Sequence, residues 1–148
     1  MLKVPKKVEY GLISLLHMEA QPGRDLASRA EIARSNCIPI EILGKVLQAL
    51  TRSGLVESVQ GVKGGYRLAR PIETIRIGQV IEAVDGPLHL MLCSEAVDAC
   101  EQASVCVIRG PMARIEQRLR LHLYDLSLAE LRNVYQPPPA PQPEGAVP

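Results

Sequence analysis

The sequence predicts a mainly α-helical fold with one small β-hairpin, and three observations support this. Of the 148 residues 47% are apolar, but none is Phe or Trp, so aliphatic side chains that suit helices must fill the core. Apolar residues recur at helical spacing in several segments. A glycine-rich turn, residues 60–65, separates two short stretches with the composition of β-strands.

Two helices are predicted in the first quarter of the chain. The first covers about residues 6–19, where apolar side chains follow helical spacing, and Pro22 and Gly23 end it. The second begins at Ser28, because Ser28 and Glu31 form a capping box that satisfies free backbone N–H groups. It ends near residues 35–36.

A third helix follows a turn at residues 36–38 and completes a helix-turn-helix pattern. Pro39 suits its start and Gly54 its end, while Cys37 in the turn is interpreted as a small buried apolar residue. We expect its core stripe to contain Ile42, Leu43, Val46, Leu47 and Leu50. Strands at about 55–59 and 66–69 then form a hairpin, so the whole pattern predicts a winged helix-turn-helix.

The second half is predicted to hold a short helix at 75–84, an irregular cysteine-containing loop and a long helix from about residue 110. Apolar positions along the long helix step by three and four, the spacing of two helices packed side by side, which predicts a dimerisation helix. Packing on its own domain is the alternative. The positions are Val105, Ile108, Met112, Ile115, Leu119 and His122.

A last helix, residues 127–135, opens with a second capping box formed by Ser127 and Glu130. The predicted organisation is therefore a winged helix-turn-helix DNA-binding domain at 1–86, a cysteine-containing loop at 87–110 and the dimerisation and C-terminal helices at 111–135. Residues 136–148 form a Pro-rich tail, predicted to be disordered.

Charge and hydropathy limit the classes of function. Residues 1–70 hold 11 Lys and Arg against 6 Asp and Glu, whereas residues 71–148 hold 6 against 10, so the basic half should face a polyanion. No signal peptide or membrane span is expected, which predicts a cytoplasmic protein with reduced thiols and no membrane partner. The three histidines are scattered, and the sequence shows neither a nucleophile–base pair nor a phosphate-binding loop. An enzyme is therefore not predicted.

Double-stranded DNA is the partner that this half predicts. The outward face of the third helix should enter the major groove, where Glu41 could accept from cytosine, Lys45 could reach guanine and Arg52 could contact a phosphate. A solvated helix face is the alternative. The helix is expected to contribute Pro39, Glu41, Lys45, Gln48 and Arg52, and the wing Lys63, Gly64, Gly65 and Arg67, whose glycines allow a close approach to the DNA backbone.

Three cysteines predict a metal centre. Cys93, Cys100 and Cys106 are separated by six and five residues, and a loop allows three thiolates to converge on an iron–sulfur cluster. Zinc is the second possibility, because its sites more often use closer pairs, and a disulfide is the third. Glu9, on the core flank of the first helix, needs a cation or a basic partner, and a Lys or Arg would satisfy it equally well.

With its Lys63-Gly64-Gly65-Tyr66 wing and Cys93, Cys100 and Cys106 in the loop, the chain resembles the IscR/NsrR-type family of iron–sulfur regulators over residues 1 to about 135. The resemblance implies a homodimer with crossed long helices, each cluster near the partner's first helix, and a pseudo-palindromic operator. Arg109 stands where one branch has a ligand histidine. Glu9 matches an acidic ligand of the nitric-oxide-sensing branch, which implies Glu9 as fourth ligand and favours 4Fe–4S over 2Fe–2S.

The resemblance also extends the DNA-binding set to Lys3, Tyr10, Ser28 and Gln60. Gln60 stands where the wing often has a minor-groove arginine, and Gly44 where the third helix often has a base-contacting acid, so the operator should differ. The predicted function is a regulator, most simply a repressor, whose cluster senses iron, redox state or nitric oxide. The alternatives are a cysteine-redox or zinc-dependent regulator, or an iron–sulfur carrier or assembly factor that does not bind DNA.

Overall fold

The structure, a computed structural model, describes residues 3–21, 25–96 and 100–134. The predicted helix terminator Pro22-Gly23 and the predicted tail lie outside the described residues. The mainly helical fold with one hairpin is confirmed. In chain order the elements are α1 (Lys6–Glu19), α2 (Arg29–Ser35), α3 (Ile40–Arg52), β1 (Val56–Val59), β2 (Gly65–Leu68), α4 (Ile77–Asp85), α5 (Leu92–Glu95), α6 (Arg109–Asp125) and α7 (Leu128–Val134).

A single aliphatic core joins α1–α4, the base of the hairpin and α7. The last helix, which the sequence analysis grouped with the dimerisation helix, buries Leu128 in this core, and the backbone N–H of Leu128 donates to Ile75 at 2.8 Å. The segment that follows α6 is thus fastened to the winged-helix body. Side chains with no exposed surface include Val8, Leu15, Ile32, Leu43, Leu47, Leu50, Ile75, Val80 and Leu128.

The helix-turn-helix forms as the caps predict, with two corrections. Ser28 accepts a hydrogen bond from the N–H of Glu31 at 3.1 Å and starts α2. Cys37 is exposed rather than buried, because its left-handed backbone, with φ of 53°, turns the chain so that Ile38 enters the core instead. Ile42 is 43% exposed, since it lies at the edge of the stripe, about 100° around the helix from Leu43.

The hairpin pairs β1 and β2 in antiparallel register, with Val56 opposite Leu68 and Val59 opposite Gly65. Tyr66 extends the sheet to Ala27 through two backbone hydrogen bonds of 2.9 Å. A Cβ at Gly65 would lie 2.8 Å from the carbonyl oxygen of Ala27, so this glycine allows the wing to pack against the segment before α2. The wing is therefore held at its base by the helical body.

The long helix α6 packs on α4 through one flank. Gly78 of α4 leaves room for the ring of Tyr124, whose hydroxyl donates to Glu82, and Arg120 pairs with the same carboxylate at 3.2 Å. Burial first, and then Glu82, raise the pKa of Tyr124 above its ordinary value. None of the 17 residues of α6 is buried. No helix within the described ranges is long and apolar enough to span a bilayer.

Candidate nucleic-acid interface and metal centre

The predicted recognition residues of α3 share one exposed face. Glu41, Lys45, Gln48 and Arg52 are all exposed, and their spacing of four, three and four residues places them in a row along the helix. Pro39, also exposed, immediately precedes the helix. The opposite face is held in the core by Leu43, Leu47 and Leu50. The side chains that could read base edges therefore lie together on a rigid element.

Sequence reasoning missed one cation at this surface, Arg29. A Cβ at Gly44 would lie 2.9 Å from Nη1 of Arg29, so the guanidinium covers the middle of α3 where Gly44 has no side chain. The signal was an isolated glycine inside a regular helical pattern, which costs about 1 kcal/mol relative to alanine and so calls for a structural explanation. Arg29 itself is exposed on the first turn of α2.

The wing presents Gln60 and Lys63 to solvent at its tip. Arg67 is exposed too, but it pairs with Glu57 across the hairpin at 2.7 Å, so part of its charge is neutralised within the wing. Gly64 is also required by the hairpin, because a Cβ there would collide with the carbonyl oxygen of Val59. The glycines thus serve the wing's own backbone, and Lys63 is the wing cation most free to meet a phosphate.

The remaining predicted DNA-binding residues occupy different environments. Lys3 is exposed ahead of α1. Tyr10 is half-buried against the core, which leaves only part of its side chain for a ligand. The hydroxyl of Ser28 is engaged in the α2 cap but keeps its own proton to donate.

The cysteine segment contains one helical turn where an irregular loop was expected. Cys93 lies in α5, whereas Cys100 and Cys106 lie in irregular backbone on either side of a turn at residues 101–105; all three are half-buried, free thiols. Among the described residues no three His, Cys, Asp or Glu side chains are grouped closely enough to hold a metal ion. Thiolate donors match the chemistry of an iron–sulfur cluster. Binding one through all three would require the segment to draw together.

A carboxylate on α6 anchors the beginning of this segment. Glu116 accepts a hydrogen bond from the backbone N–H of Leu90 at 2.8 Å, and Nδ1 of His89 lies 3.6 Å from its other oxygen. Burial would raise the pKa of Glu116, but Leu90, Ser94 and His89 together lower it below its ordinary value. An ionised Glu116 therefore fastens residues 89 and 90, three to four residues before Cys93, to the long helix.

Glu9 is half-buried on α1 and has a basic partner. Of the two possibilities expected for Glu9, a bound cation or a basic side chain, the described residues show the second. Nζ of Lys6 lies 2.6 Å from its carboxylate, and the hydrogen bond to Glu9 raises the pKa of Lys6. The i, i+3 spacing of the two residues on the first turns of α1 accounts for the contact. A role for Glu9 as a ligand would require it to leave Lys6.

The chain is similar to known regulators both in sequence and in fold. The chain is 37% identical over 92 residues to the HTH-type transcriptional regulator IscR of Cereibacter sphaeroides; the match covers 61% of this chain and 59% of the length of that relative. The fold is similar to CymR (YrzC), the global cysteine regulator of B. subtilis, with a TM-score of 0.68 and 25% identity over 92% of this chain and all of that one. T. potens IscR gives a TM-score of 0.68 at 25% identity, covering 97% and 94% of the two chains.

The Rrf2 family, described as iron-dependent transcriptional regulators, matches residues 4–133. That range contains the helix-turn-helix, the wing, the cysteine segment and the long helix. Its members are regulators of transcription and not enzymes, and the resemblance to IscR-type regulators is confirmed. The chain belongs to the Rrf2 family of winged-helix transcription regulators.

Proposed function

We propose that this Rrf2-family protein is a homodimeric repressor whose operator affinity is controlled by an iron–sulfur cluster bound through Cys93, Cys100 and Cys106. One observation carries the proposal: three free thiols lie in a single segment between α4 and α6, and Glu116 of α6 holds the start of that segment. A change in how the thiols are held would therefore act directly on the helix that we assign to the dimer contact.

DNA recognition rests on α3 and the wing. In this proposal α3 enters the major groove, Glu41 accepts from a cytosine amino group and Lys45 donates to guanine, while Lys63 of the wing meets the phosphate backbone. All three side chains are exposed. The excess of basic residues in residues 1–70 supplies the attraction to the polyanion.

Dimer formation through α6 is supported by its uncovered apolar flank. Ile115 is 51% exposed on this helix of 17 residues, and Ile108, 56% exposed, is the residue immediately before it. The two are seven residues apart and so lie on the same side of the helix, which is the spacing of a helix–helix contact. Two-fold packing of α6 against a second copy would place two α3 helices on a pseudo-palindromic operator.

The proposed cluster is held by this chain's thiolates, with Glu9 of the partner subunit as a candidate fourth ligand and 4Fe–4S as the favoured type. When bound, the cluster supplies a centre that iron shortage, oxidation or nitric oxide can damage. The chain's own contribution is to fix the position of the cysteine segment relative to α6. Because Glu116 ties Leu90, three residues before Cys93, to α6, movement of Cys93 would shift α6 on α4 and so change the spacing of the recognition helices.

The test is purification without oxygen, followed by measurement of iron, acid-labile sulfide and affinity for DNA fragments selected from a pool of random duplexes. We expect iron and sulfide in the unchanged protein and their loss in Cys93→Ala, Cys100→Ala and Cys106→Ala. Cys37→Ala is the matched control, since Cys37 is an exposed thiol outside the segment. If the iron-free protein bound the selected DNA with the same affinity and selectivity, control by the cluster would be excluded.

A thiol-based or zinc-dependent regulator of the same fold is the second candidate. Similarity to CymR, the global cysteine regulator, over its whole length favours it, as does the separation of the three thiols in the described residues. Here the same preparation would contain no sulfide, and DNA affinity would respond to a mild oxidant or to zinc. Loss of that response in the three cysteine variants, with Cys37→Ala unaffected, would identify this mode of control.

A further inference from the structure

The recognition face of α3 has a gap at Gly44, and the side chain of Arg29 lies across it. Gly44 falls between Glu41 and Gln48 at helical spacing, so it belongs to the same outward face. It is nevertheless buried, whereas both neighbours are exposed. A Cβ at this position would lie 2.9 Å from Nη1 and 3.7 Å from Cδ of Arg29, so the cover is the arginine side chain itself.

Arg29 is exposed and has no competing engagement in the described part of the chain. It is the first residue of α2, and within residues 3–21, 25–96 and 100–134 it forms no ion pair and no side-chain hydrogen bond. The wing arginine Arg67, by contrast, is already paired with Glu57. Arg29 therefore keeps its guanidinium donors for an external acceptor.

We propose that Arg29 is a base-reading residue that occupies the place of the missing side chain at position 44 and donates to O6 and N7 of a guanine. The planar guanidinium matches this pair of acceptors, which only guanine presents in the major groove. Its location over the middle of the outward face, between Glu41 and Gln48, is that of a group facing base edges. The inference rests on the proposed function, because it requires α3 to enter the major groove.

Gly44 is the second part of this arrangement. Any side chain there would displace the guanidinium, but the displaced atoms are the far end of a flexible side chain, so the fold would tolerate the change. Replacing a helical glycine by alanine also favours the helix intrinsically. Gly44→Ala therefore moves Arg29 without removing it and without unfolding α3.

The experiment selects binding sites from a pool of random duplex DNA with the full-length protein and with Arg29→Ala, Arg29→Lys and Gly44→Ala. The affinity for the selected site is then compared with that for single-base variants at several salt concentrations. Arg29→Ala and Arg29→Lys should lose the preference for guanine at one position in each half-site, a fall of roughly 5- to 100-fold in the affinity ratio. Gly44→Ala should weaken the same preference, and Arg34→Ala, an exposed arginine elsewhere on α2, should retain it.

Two results would overturn the proposal. A uniform loss of affinity on all sequences, with the salt dependence reduced by about one phosphate contact, would make Arg29 a backbone contact. Unchanged selection by Arg29→Ala, with the fold verified by thermal melting, would make it a solvated side chain. If the unchanged protein selected no common sequence, the failure would instead lie with the proposed function.

Discussion

The winged-helix body and the long helix α6 differ in where their apolar side chains lie. Leu43, Leu47 and Leu50 of α3 have no exposed surface, whereas α6 has no buried residue and leaves Ile115, in the predicted seam, 51% exposed. Apolar burial is the main source of folding stability, and an uncovered apolar flank is typical of a surface that meets a partner. The body is thus complete within one chain, whereas α6 presents a surface suited to a second one.

The largest effect expected from this difference is a contrast between two truncations to alanine. Leu47→Ala should lower the free energy of unfolding by about 2–5 kcal/mol, because it empties a fully buried position. Ile115→Ala, in the predicted seam and at a position 51% exposed, should change it by less than about 0.5 kcal/mol in the dissociated chain and weaken self-association instead. Urea unfolding at low concentration and sedimentation at increasing concentration measure the two quantities separately.

The contrast would disappear if α6 were only a surface helix of a monomer. In that case Ile115→Ala would leave both the stability and the sedimentation behaviour unchanged. An equal loss of stability in both variants of the dissociated chain would show that α6 is buried against its own domain, contrary to the exposure described here.

The next effect concerns the junction of α6 with the body at Gly78. A methyl group at Gly78 would collide with the ring of Tyr124, so Gly78→Ala should lower the free energy of unfolding by about 1–3 kcal/mol through overpacking. Gly110→Ala is the matched control, because a Cβ at Gly110, also in a helix, meets no atom within 4 Å. Thermal or urea unfolding of both variants is the measurement.

Helix propensity predicts that the control keeps or gains stability, by up to about 1 kcal/mol. Equal stability of the two alanine variants would mean that α6 does not rest on α4 at this point. The hydroxyl of Tyr124 would then not be held within hydrogen-bonding distance of the carboxylate of Glu82.

Local signals in the sequence were sufficient to predict most of the fold. The capping residues Ser28 and Ser127 mark the starts of α2 and α7, because each satisfies backbone N–H groups that no residue farther away could reach. The aliphatic period on α3 identified its core side, with Ile42 as the exception. Cys37 was wrongly expected inside, since the left-handed turn that points it outward is not visible in residue type alone.

The candidate site was predictable in part, and the reason is geometric. Exposed residues on one helix, such as Glu41, Lys45 and Gln48, follow from spacing along α3. Contacts between elements do not follow from such spacing. The contact of Arg29 with Gly44 and the hydrogen bond from Leu90 to Glu116 depend on how helices pack and on loops that no local pattern specifies. The three cysteine ligands were predicted from their spacing in one segment, whereas family resemblance added Glu9 as the fourth ligand, and these assignments remain predictions.

A third prediction tests the anchor between α6 and the cysteine segment. Glu116→Ala removes the acceptor of the Leu90 N–H, a hydrogen bond to a charged group worth about 1.5–3 kcal/mol. Amide hydrogen exchange at Leu90 should become at least about tenfold faster, while that of buried α3 amides should not change. Glu116→Gln is the control, because its amide oxygen can still accept. Equal exchange in all three proteins would show that the segment is held by other contacts.

The smallest effect is expected at the start of α7, where the body closes after α6. Glu130 accepts hydrogen bonds from the backbone N–H of Ser127 at 2.7 Å and from its hydroxyl at 2.9 Å, and the backbone bond is the main cause of its lowered pKa. Ser127→Ala should cost about 1 kcal/mol as a lost helix cap. Urea unfolding at neutral pH measures this difference.

The same cap predicts a pH dependence of stability. Because the folded-state pKa of Glu130 lies below its ordinary value of 4.5, its contribution is complete above that pH and is lost as the pH falls through the lowered pKa. Glu130→Gln cannot titrate, so its free energy of unfolding should fall less steeply than that of the unchanged protein below pH 4.5. Glu73→Gln removes an exposed carboxylate with no bonded partner among the described residues and should leave the slope unaltered. Parallel curves for Glu130→Gln and the unchanged protein would show that the charge of Glu130 does not contribute to holding α7, which the burial of Leu128 and its hydrogen bond to Ile75 would then hold.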